Sequence, residues 1–337
     1  MDGISVLRKQ LLDSSFRKLL SLRQANNLQS AALCKKTGYN KIWIRDNIYQ
    51  ALGMQKISIK QAIKTYRAIL TLLKKYEWKI DNVINNKPKE LRQYLHPVYD
   101  LNMEEIKQEW GFKQNDAIGA ILFHIGDLEL RGIKVLKNQH DKRIVEKLVL
   151  YLKSIEYWHD PDNGIWEENM EIHTSSIGAC VAGLKKISKI VHVPKFLIKN
   201  GEKALKNLLP RESETKDVDM ALLSLIYPYN IVSKKTAEII LKNVEEKLVR
   251  KKGVIRYLGD QYYNRNGEAE WTMGFPWLAV IYKNFNNPEK YAYYTRKTLE
   301  AMNDKGELPE LYFANSDEHN ENTPLGWAQA MMIVALS

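Results

Sequence analysis

Apolar side chains in this chain recur at three- and four-residue spacing, segment after segment, and no strand-rich block interrupts them. Between His173 and Ile187, for example, Ile177, Val181 and Leu184 line one helical face behind a capping Thr174 or Ser175. The pattern predicts helices near 4–24, 45–54, 57–80, 114–135, 142–157, 173–189, 197–208, 217–229, 233–250, 271–284, 287–303 and 323–336. Twelve helices make about six hairpins, so the expected fold is all-α. No low-complexity linker divides the chain, and a single domain over residues 1–337 is expected.

The connections alternate in length. Short ones fall near 55–56, 136–141, 190–196, 230–232 and 285–286; long ones near 25–44, 81–113, 158–172, 251–270 and 304–322, with 209–216 intermediate. In a ring of helical hairpins, alternate connections emerge at the same end. The alternation therefore predicts a closed helical toroid with its long loops gathered on one face, where function is expected.

Composition narrows the possibilities. With 337 residues, 45% of them hydrophobic, the chain can bury a large core. No apolar run approaches a membrane span, and Met1–Gln10 has no apolar signal core, so a cytoplasmic protein without a membrane partner is expected. Cys34 and Cys180 form no ligand pattern and read as free thiols. Fifty-one basic against 40 acidic residues give +11, which raises the question of nucleic acid. The lysines are spread over solvated helix faces, as at Lys185-Lys186, Lys234-Lys235 and Lys251-Lys252, with no aromatic reading platform, so no nucleic-acid partner is expected. The histidines make no metal-ligand spacing, and neither a phosphate-binding glycine loop nor a nucleophile elbow occurs; no metal or cofactor is expected.

The chemistry lies in the long loops. Pro161-Asp162-Asn163-Gly164 forms a turn, followed by Ile165-Trp166-Glu167-Glu168 just before a helix. A carboxyl against an indole is poorly solvated, which raises its pKa towards that of a general acid; the plain alternative is an acidic turn at a helix entrance. Glu310, in Leu308-Pro309-Glu310, occupies a similar loop before the last helix, and two such carboxylates could flank a glycosidic bond. Tyr39, Trp43, Arg45 and Asp46 offer flat walls with a fork of donors and acceptors, or else a core indole and a charged helix start. Trp110, Gln114 and Asp116 repeat the combination, with helix capping as the alternative for Asp116. Arg256, Tyr257 and Asp260 suit carbohydrate, or form a surface ion pair. Trp277 can line a pocket or pack in the core, and Trp327 reads most simply as core. Asp219 at a helix start has an ordinary capping explanation, and His173 reads as a cap or surface residue.

Together these segments resemble glycoside hydrolase family 15, the glucoamylase family, and its relatives in the regulatory subunits of phosphorylase kinase. The matches run in order from Tyr39 to Trp327. The resemblance implies an (α/α)6 barrel and hydrolysis with inversion. Glu167 would be the general acid and Glu310 the general base, their carboxyls ~6.5–9.5 Å apart to admit water. It makes Tyr39, Trp43, Arg45, Asp46, Trp110, Gln114, Asp116, Trp166, Glu168, Arg256, Tyr257, Asp260, Trp277 and Trp327 the candidates for holding sugar. The expected activity is exo-acting release of glucose from an α-glucan, malto-oligosaccharide or α-glucoside such as trehalose. Around Ser175-Ser176-Ile177-Gly178 and Leu308–Tyr312 the chain looks closer to the phosphorylase-kinase relatives. The alternative is thus a non-catalytic sugar-binding or regulatory protein on the same barrel.

Overall fold

The computed structural model describes residues 3–86, 88–108 and 110–337. Among these residues thirteen α-helices form: α1 (Gly3–Ser21), α2 (Ile44–Ile57), α3 (Ile59–Lys75), α4 (Glu77–Asn85), α5 (Asn115–Leu130), α6 (Gln139–Ser154), α7 (Thr174–Ile187), α8 (Lys195–Leu208), α9 (Leu223–Ile226), α10 (Lys234–Lys247), α11 (Gly274–Asn284), α12 (Pro288–Glu300) and α13 (Gly326–Leu336). The expected all-α class is what the chain adopts.

Two predicted elements differ. The apolar pattern over 57–80 runs on as if unbroken, but the chain turns at Tyr76 (φ −108°, ψ 22°) and restarts as α4. Over 217–229 only a 3-10 turn, Met220–Leu222, and the one-turn α9 form. Asp219 is drawn into a bridge with Tyr257 at one end. At the other, Pro228 disfavours helical geometry at Tyr227. Asp219 does cap, accepting a hydrogen bond from Ala221 N at 2.7 Å.

The chain divides into two compact units. The first comprises the described residues up to Thr65, with Val218–Leu223 and Leu241–Ser337. Here α13 packs on α1, α2 and α11, and α11 packs on α12. The two-residue strands Glu270–Trp271 and Leu311–Tyr312 pair antiparallel, and Thr272 N donates to the Glu310 carbonyl at 3.1 Å.

The second unit comprises Tyr66–Asp217 and Ser224–Ile240. Its centre is α5 against α7, with α7 also on α8 and α4 on α6. Gly119 lets α5 and α7 approach closely: a Cβ there would lie 2.4 Å from the backbone at Ala179 and Cys180. Both helices begin where long loops end, so this contact holds those loops together.

Candidate active site

In the first unit several candidate residues gather near Glu310. Its side chain is fully buried, and its backbone is pinned on both sides, donating to the Asn322 carbonyl at 3.0 Å. Oε2 accepts from Asn322 Nδ2 at 2.7 Å and from Asn320 Nδ2. Oε1 is buried and takes no hydrogen bond of ordinary geometry from the described residues, although the Tyr39 hydroxyl lies near enough to interact. Burial raises the pKa of Glu310; hydrogen bonds from Tyr39, Asn322 and Asn320 and the charge of Arg256 oppose the rise.

Tyr39 belongs to the same cluster. Its hydroxyl is 2.8 Å from that of Tyr262, and its ring lies 5.3 Å from that of Trp43. Trp43 is buried and immediately precedes α2; Arg45 and Asp46 are buried in the first turn of that helix. Arg256 and Asp260 form a fork, Nε to Oδ2 at 2.7 Å and Nη2 to Oδ1 at 2.6 Å. The pair is 3% and 0% exposed, so the surface ion pair considered from sequence is instead a buried one. The guanidinium sits 4.9 Å from the Tyr262 ring centroid and 5.2 Å from that of Trp271, while Tyr257 is half-buried at 5.8 Å. Trp277 is fully buried, and Trp327 nearly so, in a cluster where Trp327 stacks on Tyr49 at 4.3 Å. Both pack with Tyr49 in one buried group of rings.

In the second unit Glu167 stands on a tight loop. Its φ is +64°, a left-handed conformation uncommon for a non-glycine residue. Gly111 packs directly beneath it: a Cβ there would lie 2.8 Å from Glu167 Cβ, and Gly111 itself has φ +48°. Trp110, Gly111, Phe112, Asn163, Glu167 and Glu168, with Leu91, line a cleft of about 440 Å³. Trp166 is half-buried beside Glu167. Gln114 and Asp116 are buried at the start of α5, with Gln114 Nε2 3.5 Å from the Gly111 carbonyl. Glu168 pairs with the buried Lys216 at 3.3 Å.

Buried polar groups beneath this loop hold it in place. Asn163 Oδ1 accepts from Lys113 N at 3.1 Å, and its Nδ2 donates to the Glu168 carbonyl at 2.6 Å. Asp162 Oδ2 accepts from Asn115 N and Ser176 Oγ, both at 2.8 Å, so one carboxylate ties together the starts of α5 and α7. Burial and the charge of Asp116 push Asp162 up to about 6. His173, expected as a cap or surface residue, is 4% exposed and forms no side-chain cap. Its ring packs against Gly164, and its Nδ1 faces Glu212 Oε1 at 3.4 Å. Burial lowers its pKa, but Glu212 and Asp162 outweigh this and hold it up at about 9.

Sequence reasoning missed Asn320, Asn322, Gly111, Glu212 and the inner role of His173. Asn320 and Asn322 follow Glu310 closely, but asparagines ahead of a proline read as a turn. Among the described residues no cluster of His, Cys, Asp and Glu is suited to a metal, and no helix is long and apolar enough to cross a membrane.

The sequence model of the family described as Glycosyl hydrolases family 15 matches residues 25–336. A phosphorylase b kinase regulatory subunit alpha, skeletal muscle isoform, of Oryctolagus cuniculus is 24% identical over 87% of this chain. A probable phosphorylase b kinase regulatory subunit alpha of Caenorhabditis elegans is also 24% identical over 87% of it. The chain spans about 30% of the length of these curated relatives. A wild-type glycosidase superposes with a TM-score of 0.86 at 18% identity, covering 99% of this chain and 98% of its own. The glucoamylase from Saccharomycopsis fibuligera superposes at 0.70 and 14% identity, covering 99% and 95%. The fold of the chain is the (α/α)6 barrel of such enzymes, a glycoside hydrolase fold.

Proposed function

Because the chain belongs to glycosyl hydrolases family 15, we propose that it is an inverting, exo-acting α-glucoside hydrolase. It releases glucose from an α-glucan, a malto-oligosaccharide or a related α-glucoside. The observation that carries this reading is Glu310: a fully buried carboxylate with one oxygen held by two amides and with Tyr39 among the groups that interact with it. That arrangement suits a base that must remove a proton from a single ordered water. Glu167, at the edge of a cleft walled by Trp110 and Glu168, protonates the departing glycosidic oxygen. Water, deprotonated by Glu310, attacks from the opposite side of the sugar. Tyr39, Trp43, Arg45, Asp46, Gln114, Asp116, Trp166, Arg256, Tyr257 and Asp260 hold the glucose and stabilise positive charge at its anomeric carbon. The substrate is a carbohydrate met in the cytoplasm, with no metal, nucleic acid or membrane involved. The test is glucose release from maltose, longer malto-oligosaccharides and trehalose by the purified protein. Release should be lost in both Glu167→Gln and Glu310→Gln.

A second reading rests on the curated relatives, which are named as regulatory subunits of phosphorylase b kinase. On that reading the same pocket binds a sugar without turning it over. Calorimetry on the same samples separates the two: heat of glucose or maltose binding without any glucose release favours the regulatory reading. Release that vanishes in Glu167→Gln excludes it.

A further inference from the structure

The loop after Glu310 holds two buried amides that the reaction as proposed leaves unassigned. Asn322 is fully buried and Asn320 is 3% exposed, and both Nδ2 atoms donate to the same carboxylate oxygen, Oε2 of Glu310. Each asparagine is itself held. The Asn322 carbonyl accepts from Glu310 N at 3.0 Å, so backbone and side chain grip the same glutamate. Its Oδ1 accepts a hydrogen bond from Thr37 Oγ1, which turns the amide so that Nδ2 faces the carboxylate. Asn320 N donates to the Leu311 carbonyl at 3.2 Å, and the Asn320 carbonyl accepts from Thr323 Oγ1 at 3.1 Å. Reversing the Asn320 amide would set its oxygen against the carboxylate, so its orientation is dictated by charge.

Two donors on one oxygen divide the carboxylate into unlike halves. Oε2 is occupied, whereas Oε1 is buried and takes no ordinary hydrogen bond among the described residues. We propose, resting on the hydrolase reading above, that Asn320 and Asn322 are positioning residues of the base: they occupy Oε2 and reserve Oε1 for the proton of the attacking water. The step balances simply. The O–H bond of water breaks and its proton goes to Oε1 as the water oxygen bonds to the anomeric carbon, while the glycosidic C–O bond breaks and the departing oxygen takes its proton from Glu167. The titratable and charged groups facing Glu310 are Tyr39, Arg256, Tyr262 and Tyr263. Only Arg256 among them is positively charged, and Asp260 neutralises it through two hydrogen bonds. The Tyr39 hydroxyl and the two amides are therefore the direct donors that favour the ionised base over its protonated form, and the amides are the ones that act at Oε2.

The experiment compares kcat/KM against pH for the parent, Asn320→Ala, Asn322→Ala and the nearly isosteric Asn322→Asp. Losing one donor should move the acidic limb up by about one pH unit, equivalent to tenfold lower activity on that limb, with the alkaline limb unmoved. Asn322→Asp, which adds a like charge, should move it further in the same direction. A uniform loss at every pH with an unmoved limb in all three overturns the assignment and leaves the amides as packing. Infrared titration of the Glu310 carboxylate, isolated by difference from Glu310→Gln, gives the same answer without turnover. A midpoint shifted upward in the variants supports the assignment, and an unshifted one overturns it. Should the parent release no glucose from any glucoside, the hydrolase reading fails, while the infrared midpoint still decides what the amides do.

Discussion

Residue by residue, the two carboxylates sit in unlike surroundings. Glu310 is enclosed and held by amides, whereas Glu167 is half-buried on a strained loop at a cleft. Replacing Glu310 by Gln keeps the shape and removes the base, and a loss of about 10²–10⁴ in kcat is expected, read by glucose release. The pH profile follows from the environment of Glu310. Burial raises its pKa above the ordinary value of 4.5, and the base works only when ionised. Activity should therefore fall as pH drops through that raised value, with an acidic limb above 4.5 that is missing from residual Glu310→Gln activity. An acidic limb at or below the ordinary value would show that another group is the base. The buried Arg256–Asp260 fork invites a second substitution. Arg256→Met leaves Asp260 enclosed without its partner, so a stability loss of about 3–5 kcal/mol is expected by denaturant unfolding, besides weaker sugar binding.

At the scale of elements, the loop bearing Glu167 depends on its neighbours. Gly111→Ala puts a methyl group 2.8 Å from Glu167 Cβ at a position with φ +48°. It should displace the acid and lower kcat more than it changes KM, a split that steady-state kinetics reads directly. His173 fastens the same loop to Glu212. Its folded pKa of about 9 lies above the ordinary 6.5. The stability it contributes is thus fully present below pH 6.5 and is lost as pH rises through about 9. His173→Gln should flatten that part of the melting-temperature profile; an unchanged slope between these pH values would contradict the ion pair. The helices that carry these loops were legible because their apolar spacing is continuous, as in α5 and α7. The break at Tyr76 was not, because apolar spacing continues across it although Trp78 is 62% exposed. Nor were the amides on Glu310, since the partner of an asparagine depends on the path of its loop rather than on local spacing.

For the whole molecule, the alternation of helices and long loops was enough to indicate the barrel class, and the fold agrees with it. The motif segments Tyr39–Asp46, Trp110–Asp116, Ile165–Glu168, Arg256–Asp260 and Leu308–Glu310 stand out in the sequence as loop stretches that join aromatic rings or carboxylates, and packing or capping alternatives attend several of them. What spacing could not reveal is how the buried network is shared out. Trp277 lies wholly in the core, and His173 turned out to be an internal cation. The proposed reaction is hydrolysis of an α-glucoside by an acid and a base acting on opposite faces of the sugar. The most direct measurement is proton NMR of the first glucose released from maltose or trehalose, recorded before mutarotation. Inversion gives the β-anomer, formed by the parent and not by Glu167→Gln or Glu310→Gln; initial release of the α-anomer would contradict it.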